Sequence, residues 1–193
     1  MSRAAFLDRD GVINQKAPRG EYITRWKEMQ FLPGVAEAIA LLNRAGFRVI
    51  VVSNQRCVAK GLITASELDL IHERMRDALA RAGGSVDAIY YCPHELQPPC
   101  TCRKPRPGML LEAARAHNID LSASWMIGDS DKDVEAGKNA GCRTVRLVES
   151  DEAENVKADV VASSLLDAAL KILQRDGSVA HQAVPSAVLV SPK

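Results

Sequence analysis

Residues 47–53, Phe-Arg-Val-Ile-Val-Val-Ser, form a continuous, largely β-branched run. Such a run suits a strand buried on both faces rather than one with a wet side. A segment with helical spacing precedes it (Val35, Ala38, Ile39, Leu42) and stops at Gly46, a suitable C-terminal cap. Another follows: Thr64-Ala65-Ser66-Glu67 reads as a capping box, opening a helix with the stripe Leu68, Ile71, Met75 and Leu79. The same alternation runs on through the chain. Further strands are expected at Ala4–Asp8, Val86–Tyr91, Ser124–Gly128, Arg143–Val148 and, shorter, Asp159–Ala162. Further helices are expected from Pro107, placed in the first turn, to about His117, and at Asp131–Ala140 and Leu165–Leu173. This order implies an α/β fold: a three-layer, doubly wound, mostly parallel sheet with helices on both faces. The period fails after about Arg175. Residues 1–175 therefore read as one domain, and 176–193 as a loose tail whose run Ala187–Val190 is also able to pair with an edge strand.

Chemistry-bearing residues gather where the strands end. Asp8 and Asp10 stand at i and i+2, on one side of an extended chain. One can attack while the other handles a proton, and both can hold a divalent cation; alone, the pair fits an ordinary acidic turn equally well. Ser53-Asn54-Gln55 follows the second strand, Lys104-Pro105 precedes a turn, and Asp129 and Asp133 follow the fourth strand. Ligands of open parallel sheets bind outside the carboxyl ends of the strands. A central first strand, flanked by the second and fourth, would bring these groups together. In this order they describe a Mg²⁺-dependent phosphatase working through an aspartyl-phosphate.

Cys92-Pro93-His94 and Cys100-Thr101-Cys102 give C-x-H-x5-C-x-C. Three sulfurs and one imidazole are the ligand set of a closed tetrahedral Zn²⁺ site, which has no open position for water and so favours a structural role. Free thiols, or a C-x-C redox pair, are the alternatives. The cluster ends one residue before Arg103-Lys104, so a metal there would fix the Pro-rich loop 95–99 and place two cations. Cys57 and Cys142 stand apart, Cys142 as a small buried residue entering a strand.

With 47% apolar and 25% charged residues and a net charge of +1, the composition is that of a soluble globular protein without the basic footprint of a nucleic-acid binder. No apolar stretch is long enough to span a bilayer. Met1-Ser2-Arg3 leads into a strand without a basic-then-apolar leader, so a cytoplasmic location is expected, where clustered cysteines read as metal ligands rather than disulfides.

Leu7-Asp8-Arg9-Asp10-Gly11-Val12-Ile13-Asn14 resembles the first motif of the haloacid dehalogenase (HAD) superfamily phosphatases. Val51-Val52-Ser53-Asn54-Gln55 resembles the second motif, Lys104-Pro105 the third, and Ile127-Gly128-Asp129-Ser130-Asp131-Lys132-Asp133 the fourth. The resemblance implies Asp8 as nucleophile and Asp10 as acid and base. It implies Mg²⁺ on the Asp8 side chain, the Asp10 backbone carbonyl and Asp129, with Ser53 and Lys104 on the phosphoryl oxygens. Asp133 either supports the metal site from behind or begins a helix, and Asp131 reads as a solvent-facing helix-start charge. The spans 14–34 and 55–86 leave room for loops and one helix, so a capless enzyme is expected.

Cys-Pro-His followed by Cys-x-Cys-Arg-Lys-Pro is similar to a narrower group, the heptose bisphosphate 7-phosphatases and the histidinol-phosphate phosphatases. Gly20-Glu21-Tyr22, Phe31-Leu32-Pro33-Gly34, Ala59-Lys60-Gly61 and Tyr90-Tyr91-Cys92-Pro93-His94 look closer to the heptose enzymes. That resemblance implies removal of the 7-phosphate of D-glycero-D-manno-heptose 1,7-bisphosphate, a small phosphorylated sugar. It places Ser53, Asn54, Gln55, Arg56, Arg103 and Lys104 on the substrate, with Arg56 and Arg103, then Arg19, as candidates for the second phosphate. Histidinol phosphate or another small metabolite is the alternative substrate. The chain departs from the pattern at Val12, where many relatives carry Thr, at Cys57, often Gly, and at Ser130, where some heptose enzymes place Lys. A zinc-stabilised binding module would have no use for Asp8, Asp10, Ser53 and Lys104 in order. A polynucleotide 3′-phosphatase is disfavoured by the neutral charge and by the lack of aromatics among basic residues. Tyr22 and Trp26 read as packing a loop over the site, and the capless reading is compatible with a monomer.

Overall fold

The computed structural model describes residues 1–148 and 157–177. Six parallel strands form one sheet in the order β3-β2-β1-β4-β5-β6. They are β1 (Arg3–Leu7), β2 (Phe47–Asn54), β3 (Ala88–Cys92), β4 (Trp125–Gly128), β5 (Arg143–Leu147) and β6 (Val160–Ala162). The helices are α1 (Val35–Arg44), α2 (Ala65–Arg81), α3 (Gly108–His117), α4 (Asp131–Ala140) and α5 (Leu165–Arg175). A single 3-10 turn (Trp26–Glu28) lies in the loop after β1.

The two-residue period of the strands builds the three layers. Ala5, Leu7, Val49 and Val51 face α1, α2 and α5, while Ala4, Phe6, Ile50 and Val52 face α3 and α4. Because helices cover both faces, β2 is buried at every position except Arg48 and the partly buried Asn54, which is why its sequence does not alternate. The expected capping box is formed: Thr64 Oγ1 accepts from Glu67 N–H, and Glu67 Oε2 accepts from Thr64 N–H. Gly46 ends α1 with φ 82°. Pro107 sits one position earlier than expected, as the N-cap of α3.

The third strand also differs from expectation. It runs from Ala88 to Cys92, shifted toward the C-terminus. Asp87 ends the preceding loop by exchanging backbone and side-chain hydrogen bonds with Val49. The shift puts Cys92 in register with Asn54 at the carboxyl end of β2. The cysteine–histidine loop therefore starts beside the second chemical motif.

No inserted domain interrupts the described residues, and none of their helices is long and apolar enough to cross a membrane. Asp176, where the sequence places the start of the tail, caps α5 and accepts from Arg3 and Arg143. The remaining tail, including Ala187–Val190, lies outside the described residues.

Candidate active site

β1 pairs with β2 on one side and β4 on the other, so the segments after these three strands meet. Asp8 and Asp10 follow β1, Ser53 and Asn54 end β2, and Asp129 follows β4. Together with Lys104 and Asp133 they line a cleft of about 340 Å³. Two glycines make the crowding feasible. Gly11 turns the chain with φ 88°, and a Cβ there would lie 1.7 Å from Asp129 Oδ2. A Cβ on Gly128 would lie 2.1 Å from that of Asp133.

Lys104 is the electrostatic centre. Its Nζ lies 2.9 Å from Asp8 Oδ1 and 2.6 Å from Asp133 Oδ1, and donates to the Val52 carbonyl at 2.8 Å. Burial alone would lower its pKa, but the two carboxylates outweigh that and raise it. Its backbone is clamped by Asn54, whose Oδ1 accepts from Lys104 N–H and whose Nδ2 donates to the Lys104 carbonyl, each at 3.1 Å. Both polar atoms of the Asn54 side chain thus serve to position Lys104.

Asp8 Oδ1 also accepts from Arg9 N–H at 2.7 Å. Among the described residues no donor contacts Oδ2. Burial, opposed by Lys104 and reinforced by Asp133, pushes the Asp8 carboxyl up to about 7 in the absence of a cation. Asp10 behaves in the opposite way. Burial would raise it, yet the Arg9 charge and hydrogen bonds from Asn14, Gln55 and Arg9 hold it below the usual carboxylate range. Four donor atoms converge on its two oxygens: Arg9 Nε and Nη2, Asn14 Nδ2 at 2.9 Å and Gln55 Nε2 at 3.0 Å. Gln55 is itself buried and also donates to Ser53 Oγ at 2.8 Å, so it faces Asp10 rather than the open cleft.

Asp133 begins a helix, one of the two roles weighed for it. It completes the capping box of α4 with Ser130 while being fully buried and paired with Lys104. Asp131 is exposed, as expected. Carboxylate oxygens of Asp8, Asp129 and Asp133 lie within 4.8 Å of one another. Such a hard-oxygen set fits Mg²⁺. Lys16 places its ammonium on Asp129 Oδ2, a protein cation standing where negative charge is concentrated.

The ligand atoms of Cys92, His94, Cys100 and Cys102 also lie within 4.8 Å of one another. Their contacts, 3.5 Å for Cys92–Cys100, 3.4 Å for Cys100–Cys102 and 3.2 Å for His94–Cys102, approach the roughly 3.8 Å edge of a tetrahedron built on Zn–S bonds. Burial would raise the Cys100 thiol, but the Arg103 N–H and the neighbouring thiols hold it down at about 6. Burial and the adjacent sulfurs push Cys102 up to about 12, so without a metal the cluster resists a second thiolate.

Three residues assigned to substrate from sequence do not line the cleft: Gln55, already described, and two arginines. Arg56, partly buried, pairs with Glu95 instead. Arg103 is partly buried, with Nη1 buried and without a hydrogen-bond partner among the described residues. Arg19 does line the cleft, joined by Lys16 and Lys132, which the sequence reading passed over. It also passed over Arg9 and His72, both buried behind Asp10. The signal was present: Arg9 stands between two residues that face the site, and His72 stands on the apolar stripe of α2.

Residues 101–168 match the HAD-hydrolase-like family. The D-glycero-beta-D-manno-heptose-1,7-bisphosphate 7-phosphatase of Bordetella bronchiseptica is 43% identical over 136 residues, covering 70% of this chain and 75% of that protein. Its counterpart in Escherichia coli K12 is 40% identical over 176 residues, 85% of this chain and 90% of that one. The crystal structure of the B. bronchiseptica D,D-heptose 1,7-bisphosphate phosphatase with magnesium and phosphate superposes with a TM-score of 0.81 and 36% identity, covering 90% of this chain and 99% of that one. With relatives at this identity and coverage, the chain belongs to the heptose-1,7-bisphosphate 7-phosphatase family of HAD-like phosphatases.

Proposed function

We propose that this phosphoric monoester hydrolase removes the 7-phosphate from D-glycero-D-manno-heptose 1,7-bisphosphate through an aspartyl-phosphate on Asp8. The observation that carries the mechanism is the Asp8 carboxylate. One oxygen is held by Lys104 and the Arg9 N–H, and the other has no protein donor among the described residues at the floor of the cleft. That free oxygen is placed to attack phosphorus. The Asp8 O–P bond forms as the bond from phosphorus to the sugar oxygen breaks. Asp10 in its protonated form gives its proton to the departing alkoxide, and the carboxylate so formed takes one back from the water that hydrolyses the acyl phosphate. Because four donor atoms surround Asp10, each proton transfer requires one of them to yield.

Lys104 and the Ser53 hydroxyl bind the equatorial phosphoryl oxygens, where charge builds in the transition state. Asn54 fixes Lys104, and Gln55 fixes Asp10 and Ser53. Mg²⁺ would be held by Asp8, Asp129 and the Asp10 carbonyl, with Asp133 behind; when bound, it supplies charge neutralisation between nucleophile and dianion. Zn²⁺ on Cys92, His94, Cys100 and Cys102 would have a structural role. At the cleft mouth Arg19 and Lys132 offer cations for the second phosphate of a bisphosphate. The names and coverage of the relatives support the heptose substrate over histidinol phosphate.

Phosphate release from both heptose bisphosphate anomers and from histidinol phosphate, with and without Mg²⁺, tests the reading. Strong Mg²⁺-dependent turnover of a heptose anomer, lost in Asp8→Asn, is expected. Preference for histidinol phosphate would overturn the substrate and keep the mechanism.

A further inference from the structure

Arg9 is a fully buried arginine in a chain whose other arginines lie mostly toward solvent. The two-residue period explains its direction. Asp8 and Asp10 face the cleft, so the residue between them points into the layer between sheet and α2. Taking a guanidinium out of water costs several kcal/mol, and well-packed apolar residues generally fill such places at least as stably. A purely structural account of Arg9 is therefore weak. Among the described residues its only carboxylate partner is Asp10, on which Nε and Nη2 close a fork at 2.9–3.1 Å.

The remaining arm is also used. Arg9 Nη1 lies 3.1 Å from His72 Nε2. His72 is buried in α2, and its ring packs against Tyr91 at 5.4 Å between centroids. Burial, then the Arg9 charge, pushes the imidazole down to about 3, so it is neutral at ordinary pH. Beside a guanidinium that can only donate, Nε2 must be the accepting nitrogen and Nδ1 must carry the proton. Without that acceptor, Arg9 would keep an unsatisfied donor in the core and lose the contact that sets its plane.

We propose that Arg9 and His72 form a buried positioning pair that orients the Asp10 carboxylate for proton transfer to the leaving alkoxide. Neither residue touches substrate. Arg9 sets the plane and edge of the carboxylate, and His72 sets Arg9. The proposal rests on the acid–base role of Asp10 given above.

The test compares kcat/KM for two Mg²⁺-saturated substrates across Arg9→Lys, His72→Leu and His72→Gln. One is an alkyl phosphate, whose alkoxide needs a proton to leave; the other is p-nitrophenyl phosphate, whose nitrophenolate leaves without one. Circular dichroism and zinc content confirm folding. Arg9→Lys keeps the charge but loses the fork, and lowers the alkyl ester value by about 100-fold while the aryl ester changes by less than about 3-fold. His72→Leu lowers the alkyl value by about 10-fold, and His72→Gln, which restores an acceptor, recovers most of it. Equal losses on both esters, no loss, or a His72→Gln enzyme as poor as His72→Leu would overturn the pair. A wild-type protein inert on both esters would instead overturn the phosphatase reading, and this pair with it.

Discussion

Two clusters of metal-binding character lie side by side at the carboxyl end of this sheet, and they are assembled in opposite ways. The carboxylates Asp8, Asp129 and Asp133 come from segments after β1 and β4 that are about 120 residues apart in the chain. Strand pairing holds them together, and Lys104 and Lys16 already offset part of their charge. The cysteine–histidine cluster spans only residues 92–102 of one loop. The loop between its ligands has little apolar content. The first cluster is a property of the fold, built by strand pairing. The second is a property of one short loop. The two meet at Lys104, whose backbone is gripped by Asn54 on one side and follows the cysteine loop on the other.

The largest effect expected is at the nucleophile. Asp8→Asn should lower kcat by about 10⁴-fold or more, measured as phosphate release. A variant retaining a tenth of wild-type turnover would mean that the carboxylate cluster is not where the chemistry occurs. Lys104→Met comes next. Its kcat should fall by on the order of 10²–10³-fold. Thermal or urea unfolding should show a loss of about 3–5 kcal/mol, because Asp133 is left buried and unpaired. Full activity with lowered stability would separate the two functions of this lysine.

Zinc removal should act more mildly if Asn54 holds Lys104 independently of the metal. Chelation to below a tenth of an equivalent of zinc, with Mg²⁺ then restored, should lower kcat by about 10-fold. The Asn54→Ala enzyme should lose much more on the same treatment, since both clamps are then gone. Equal sensitivity in the two proteins would break the idea of a shared grip.

A smaller effect concerns pH. Without a cation, burial pushes the Asp8 carboxyl up to about 7, above the ordinary carboxylate range near 4. Native Asp8 therefore binds more protons than the unfolded chain between about pH 4 and pH 7. Its contribution to stability is complete below that window and is lost as pH rises through 7. Mg²⁺ should consequently raise the melting temperature more at about pH 8 than at about pH 5.5, where it competes with the proton. An equal shift at both values would show that Asp8 does not titrate in the metal-free protein. The smallest effect belongs to Arg56. Its partner Glu95 is a partly exposed loop residue outside the cleft, so Arg56→Ala should change KM by less than about 2-fold, whereas Arg19→Ala should raise it several-fold. A reversed order would return the second phosphate to Arg56.

Much of this was legible from residues alone. The continuous apolar run of β2 announced a doubly covered strand and the Thr64–Glu67 box announced α2, while a central β1 flanked by β2 and β4 was the arrangement under which the motifs would converge, and it is the one observed. The positions of Arg56, Arg103, Asn54 and Gln55 were not legible. A loop residue two positions from a site residue can face the cleft, the solvent or a neighbouring backbone. Only the packed loop selects between them, as it did when Asn54 turned onto the Lys104 backbone and Gln55 onto Asp10.

The sequence by itself determined what kinds of group are available and in what order: two carboxylates after one strand, a hydroxyl after the next, a lysine after a sulfur-rich loop. Periodicity determined the layers, because burial on one or two faces leaves its trace in local spacing. The tertiary structure alone decided the electrostatics. Asp8 is raised and Asp10 lowered although they are two residues apart, since one is buried against Asp133 and the other grips a buried Arg9. Asp133 comes from a distant segment, and Arg9, although adjacent in the chain, acts on Asp10 because the fold buries it; a charge in a low-dielectric site responds to what surrounds it in space.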